Sequence, residues 1–156
     1  VGGFDTTTDT DDQDLMLRIF LVNQNIRNSD LLLTLIRDRP DGSNLSRQNI
    51  AKHYLAHIAL RSNFIERLRE ERPTYHLENQ LYLWHCVYWY CRLLSSHNLN
   101  CGIKAYYSVM PKDFKPTFIL ELDNPKWHIF LTKWIGFSAT EKLKFGFRKI
   151  FPKRIT

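Results

Sequence analysis

The chain has 156 residues, the length of one domain, with 24% charged and 44% hydrophobic residues and only six glycines and six prolines. This excludes a disordered, collagen-like or Gly/Pro low-complexity chain. The richest apolar run, residues 81–94, contains His85 and Arg92 and falls short of the ~18–20 apolar residues of a membrane span.

The formal charge of +6 is graded along the chain, at −4 over residues 1–41, +3 over 42–100 and +7 over 101–156. Such a gradient points the C-terminal part toward a polyanion or an acidic partner. Three cysteines, Cys86, Cys91 and Cys101, are an odd set and predict a reducing, intracellular compartment, cytoplasm or nucleus. The chain starts at Val1, with neither a basic n-region nor an apolar h-region, as a viral or other polyprotein-derived product would.

Residues 1–13 carry Thr, Asp and Gly with almost nothing to bury and read as a mobile acidic lead. Asp9, Asp11 and Asp14 lack the turn glycine and the twelfth-position Glu of a calcium loop. From Asp14, the stripe Leu15, Ile19, Val22 and Ile26 predicts a helix. Asn28-Ser29-Asp30 breaks it, and a short helix over 31–37 stops at Pro40.

A third helix is predicted over about 46–71, with Ala51, Tyr54, Leu55, Ile58, Ile65 and Leu68 inward and Arg61, Arg67 and Arg69 outward. Over 77–95, Leu77, Leu81, Trp84, Tyr88 and Cys91 recur at 4-3-4-3 spacing, and the length favours a core helix over a buried strand.

After Asn100 the period changes. Ile103, Ala105, Tyr107 and Val109 alternate with polar residues, and 117–122 and 127–135 read as two more strands around a turn at Pro125. Ser138 and Glu141 have capping-box spacing ahead of a last helix with Leu143, Phe147 and Ile150 inward. The expected fold is therefore α+β. Residues 14–156 form one domain, with a bundle of three to four helices over 14–97 and a basic part over 101–156 made of a small antiparallel β-meander and a basic helix. No internal repeat is present.

Several residue sets carry candidate chemistry. Lys142, Lys144, Arg148, Lys149, Lys153 and Arg154 form a cationic rail interleaved with Phe145, Phe147 and Phe151, suited to phosphates through counterion release and to unpaired bases through stacking. His85 and the run Cys86-x4-Cys91-x5-His97-x3-Cys101 supply soft and imidazole ligands. Cys86 and Cys91 lie about 140° apart on a helix, however, a poor start for a tetrahedral zinc site. His53 and His57 stand at i,i+4 without the intervening Glu of a metalloprotease helix, so no metal or cofactor is predicted. Asp113, Glu121 and Asp123 read as strand-end and turn acids. Phosphate-cradling glycine loops and the nucleophile-elbow motif are absent.

The segments Arg47-x5-His53 and Arg92-x4-His97 resemble the R-x4-6-H signature of HEPN-type ribonucleases, helical domains in which a paired Arg and His cleave RNA. That resemblance implies metal-independent cleavage, with His as acid or base and Arg stabilising the phosphorane-like charge.

The leading expectation is different. Trp84, Trp89, Trp127 and Trp134, with their neighbouring tyrosines, exceed what a small core conceals. The chain is expected to be a non-enzymatic interaction or adaptor subunit of a nucleic-acid-handling complex, with a protein partner on its aromatic surface, RNA or another polyanion on its basic C-terminal face, and no membrane.

Overall fold

A computed structural model describes residues 11–22, 49–119, 122 and 124–150. Every regular element among them is a helix: α1 (Asp11–Val22), α2 (Ile50–Glu71), α3 (Pro73–His97), α4 (Leu99–Val109) and α5 (Lys126–Ile150). The expected α+β fold is thus corrected to an all-helical one. The short helix expected over 31–37 and most of the acidic lead lie outside the described residues, and α1 begins at Asp11, three residues before the helix was expected to start.

Helices α2 and α3 form an antiparallel hairpin around Arg72, with Pro73 in the first turn of α3 where its missing N–H costs nothing. Tyr54 meets His97 near one end, and Leu83 packs against Phe64 and Leu68 toward the other. The main core joins Ile58 and Ile65 of α2, Val87, Tyr88, Cys91 and Leu94 of α3, Ala105 and Tyr106 of α4, and Phe137 of α5. Tyr106 and Phe137 stack with centroids 4.0 Å apart and planes 4° apart. In α1 the inward residue is Leu21, backed by Leu17 and Phe20. Ile19 and Val22, expected inside, are exposed.

The expected strand after Asn100 is helix α4. Asn98 accepts from the Cys101 N–H at 3.1 Å, a side-chain cap that starts a helix regardless of the alternating pattern behind it. The buried residues of α4, Gly102, Ala105 and Tyr106, lie at i, i+3 and i+4, so the helical period was present beneath the two-residue one. Gly102 is needed where α4 crosses the end of α3. A Cβ there would lie 2.6 Å from Ser95 Cα and closer still to the Ser95 backbone nitrogen and hydroxyl. Gly102→Ala is expected to cost on the order of 1–3 kcal/mol in a urea melt, since backbone must move to admit the methyl.

Residues 117–119, expected to open a strand, have no regular structure and are pinned by the Thr117 N–H donating to His85 Nε2 at 2.9 Å. The expected strand over 127–135 is the first arm of α5. Pro125 accepts from the N–H groups of His128 and Ile129, giving that helix its first bonds.

Helix α5 breaks at Gly136, whose φ of 82° and ψ of 164° lie outside the helical region. The break folds arm 126–135 against arm 137–150. A straight helix would set His128 and Glu141 about 20 Å apart, yet His128 Nε2 and Glu141 Oε1 are 2.6 Å apart. Glu141 is therefore not the capping-box acid expected from the sequence but half of a buried clasp.

Candidate nucleic-acid interface

The outer face of the first α5 arm is aromatic. Trp127, Phe130 and Trp134 lie at i, i+3 and i+7 on one stripe and are 50%, 59% and 75% exposed. Phe130 and Trp134 rings stand 5.8 Å apart. Lys126 and Lys133, at i and i+7, border the stripe, and the Lys126 ammonium sits 4.8 Å from the ring centre of Phe118, itself exposed. The inner face of this arm carries His128, Ile129 and Thr132, all buried. The arm is polar toward the protein and aromatic toward solvent.

That inversion is sustained by a directional hydrogen-bond chain. Glu141 is the acceptor at its end, so His128 donates from Nε2, and His128 Nδ1 accepts from the Tyr88 hydroxyl at 2.7 Å. The Tyr88 oxygen accepts from Thr132 at 3.1 Å. The second Glu141 oxygen takes the Lys144 ammonium at 2.8 Å, and Lys144 also donates to Ser96 at 2.9 Å. His128, Glu141 and Tyr88 are buried to within 1%.

Burial works against the Glu141 carboxylate, but hydrogen bonds from His128 and Lys144 and the Lys144 charge outweigh it and hold its pKa below the usual value. Burial holds His128 below its ordinary value against the pull of Glu141, so the imidazole is neutral. Tyr–His–Glu order resembles an activated nucleophile, but Tyr88 is sealed in the core and no substrate reaches it.

The second α5 arm revises the expected basic helix. Lys144 is not on a solvated face; its side chain is 11% exposed and belongs to the clasp. Leu143 and Phe147, expected in the core, are exposed, as are Lys142, Arg148 and Lys149. The Lys149 ammonium lies 4.8 Å from the ring of Phe145. Lys153 and Arg154 lie outside the described residues.

Of the residues in the two Arg–His spacings, His53, Arg92 and His97 are described. Arg47 is outside the described residues, and His53 contacts His57, Nε2 to Nε2 at 2.9 Å. Arg92 donates to Asn124 just ahead of α5, whereas His97 packs beside Tyr54 of α2. None of these contacts joins Arg92 to His97.

The cysteines separate. Cys91 is in the core, where burial pushes its thiol up to about 12, and Cys86 lines a cavity beside Arg61 and Met16. Cys101 is in the first turn of α4. Among the described residues, no group of three or more His, Cys, Asp or Glu is placed to hold a metal ion.

Sequence reasoning missed a His–Arg–Tyr cluster between α1, α2 and α3. Arg61, expected to face outward, donates to His57 Nδ1 at 2.9 Å and to Gln13 at 3.0 Å and lies over the Tyr90 ring at 4.3 Å. Burial and then the Arg61 charge push His57 down to about 4. The i,i+4 step from His57 to Arg61 was the available signal. Among the described residues no helix is long and apolar enough to cross a membrane. No protein-family model, curated protein or solved structure matches the chain.

Proposed function

We infer that the chain is a non-enzymatic interaction module of a nucleic-acid-handling assembly, and that the outer face of α5 engages single-stranded nucleic acid. The observation that carries this reading is the exposed Trp127–Phe130–Trp134 stripe bordered by Lys126 and Lys133. A folded chain keeps large aromatics in water at a cost unless they meet a partner. Flat rings at one-turn spacing offer stacking platforms that tolerate any base, while bordering ammonium groups meet phosphates. The exposed cations Lys142, Arg148 and Lys149 on the second arm extend the positive face.

Anisotropy with a fluorescent single-stranded RNA tests the reading. Wild type is expected to bind with an affinity that falls linearly as log salt rises, by roughly 0.7 per phosphate contact. Trp134→Ala is expected to weaken binding by about 1–3 kcal/mol, with a nearly unchanged melting temperature because the ring is three-quarters exposed and its ring neighbour Phe130 is exposed too. Recovery of intact RNA distinguishes binding from HEPN-like cleavage. Absence of salt-sensitive binding by wild type at low salt overturns the reading, and the stripe then belongs to a protein partner.

A further inference from the structure

The vertex of the α5 elbow opens onto a cavity of about 320 Å³, formed where the α4–α5 connection passes over Gly136. Its walls are Tyr106, Met110, Phe114 and Phe137, and its rim carries Lys112, Lys115 and Lys133 with Tyr107. Tyr107 is 61% exposed and the three lysines are exposed. Among the described residues none of these lysines pairs with a carboxylate. Asp113, an acid of the same connection, is exposed and joins no ion pair among the described residues. Three positive charges that join no ion pair among the described residues, around an aromatic-walled hole, make a site for a ligand that is flat and apolar at one end and anionic at the other. Its size falls at the small end of the range for small-molecule pockets.

The geometry points to a single unstacked nucleotide as the occupant of this cavity, with its base among the aromatic walls and its phosphate on Lys112, Lys115 and Lys133. This rests on the reading of α5 as a nucleic-acid face, because Lys133 belongs to both the cavity rim and the border of the aromatic stripe. A strand laid along Trp127, Phe130 and Trp134 would place one nucleotide in the cavity. The chemistry deepens that reading from a stacking surface with no preference to one that holds one base in a pocket.

The probe is uridine monophosphate, titrated into the full chain and followed by the aromatic and methyl NMR signals of Tyr107 and Met110, with uridine and inorganic phosphate in parallel. The monophosphate is expected to shift both signals saturably, and each half-ligand to bind at least about fivefold more weakly. Lys112→Glu/Lys115→Glu is expected to weaken the monophosphate at least about tenfold, the scale set by placing like charges against a phosphate. These exposed positions leave the helical signal and the melting temperature unchanged.

Equal binding of uridine monophosphate by wild type and the double variant, or no saturable shift, overturns the cavity assignment. Phosphate binding as tightly as the nucleotide overturns it too, since the base then contributes nothing. The two readings fail separately. Oligonucleotide binding that depends on Trp134 but is indifferent to the cavity variant leaves the α5 face standing without the cavity. Saturable nucleotide binding with no oligonucleotide binding does the reverse.

Discussion

Urea midpoints are expected to fall steadily as the pH is lowered from about 6.5, well before the carboxylates titrate. Three histidines set this window. His57 and His85 each fall from the ordinary 6.5 to about 4, chiefly through burial. The geometry explains why. His57 Nδ1 takes an N–H from Arg61, which only donates, and His85 Nε2 takes the Thr117 backbone N–H. A proton on either nitrogen would set donor against donor. Around His57, Arg61 and His53 oppose a charge and Asp12 favours it; Lys133 opposes a charge on His85. His128 is lowered as well, with Arg92 and Lys144 against its charge and Glu141 in favour.

In the unfolded chain all three titrate near 6.5, so between there and about 4 the unfolded state binds more protons and stability is lost as pH falls. The loss is on the order of 3 kcal/mol for each of His57 and His85 at the low end, against a total stability of ~5–15 kcal/mol for a domain. Below about 4.5 the depressed Glu141 adds to it. His85→Gln, whose amide oxygen still accepts from Thr117, is expected to make the pH profile shallower. A midpoint constant between pH 7 and pH 5 would contradict the neutral-histidine assignment.

Glu141→Ala is expected to destabilise the domain by ~3–5 kcal/mol, the largest effect of any single side-chain truncation named here. It strands the Lys144 ammonium in a site 11% exposed and leaves the His128 Nε2–H without its acceptor. It also removes the bond that closes the two arms of α5. Lys144→Met is expected to lose less. The carboxylate keeps His128 and, with the competing cation gone, draws a proton onto it, so the His128 imidazole should titrate higher by NMR than in wild type. A loss within about 1 kcal/mol for Glu141→Ala in chemical denaturation would show that the clasp contributes little.

The helical hairpin was legible in the sequence and α5 was not, for the same physical reason. In α2 and α3 the expected stripe is buried at Ile58, Ile65, Leu68, Tyr88 and Cys91, so period and burial coincide over the middle of the hairpin. Leu55, Leu77 and Leu81 of the same stripe are exposed, and His57, His76 and His85 are buried instead. In α5 period and burial are opposed. His128, Thr132, Thr140 and Glu141 are buried, while Trp127, Phe130, Trp134, Leu143 and Phe147 are exposed. A reading that seeks the apolar face inward therefore places the second arm upside down and takes the β-rich composition of the first for a strand.

Lys144 shows the cost of that inversion. Its place in the cationic rail was right as sequence, but its partner Glu141 turned it toward Ser96. The aromatic excess was legible as a count, and only the fold shows that Trp127 and Trp134 hold it at the surface while Tyr88 does not. The pairing of His128 with Glu141 had no local signal, because their contact depends on a chain reversal at a single glycine.

That glycine sets a condition of handedness. With φ of 82° and ψ of 164°, Gly136 holds a backbone shape whose mirror image falls at the edge of the extended region open to any L residue. Nothing lies within 4 Å of the position an added Cβ would take, so space is not what reserves the site. The restriction is chiral: an L side chain clashes with its own flanking peptide groups in this region, whereas one of the opposite configuration would be accommodated. The ribosome supplies only one residue without a hand, so the whole inverted architecture of α5 hangs on the sole genetically encoded amino acid that is its own mirror image.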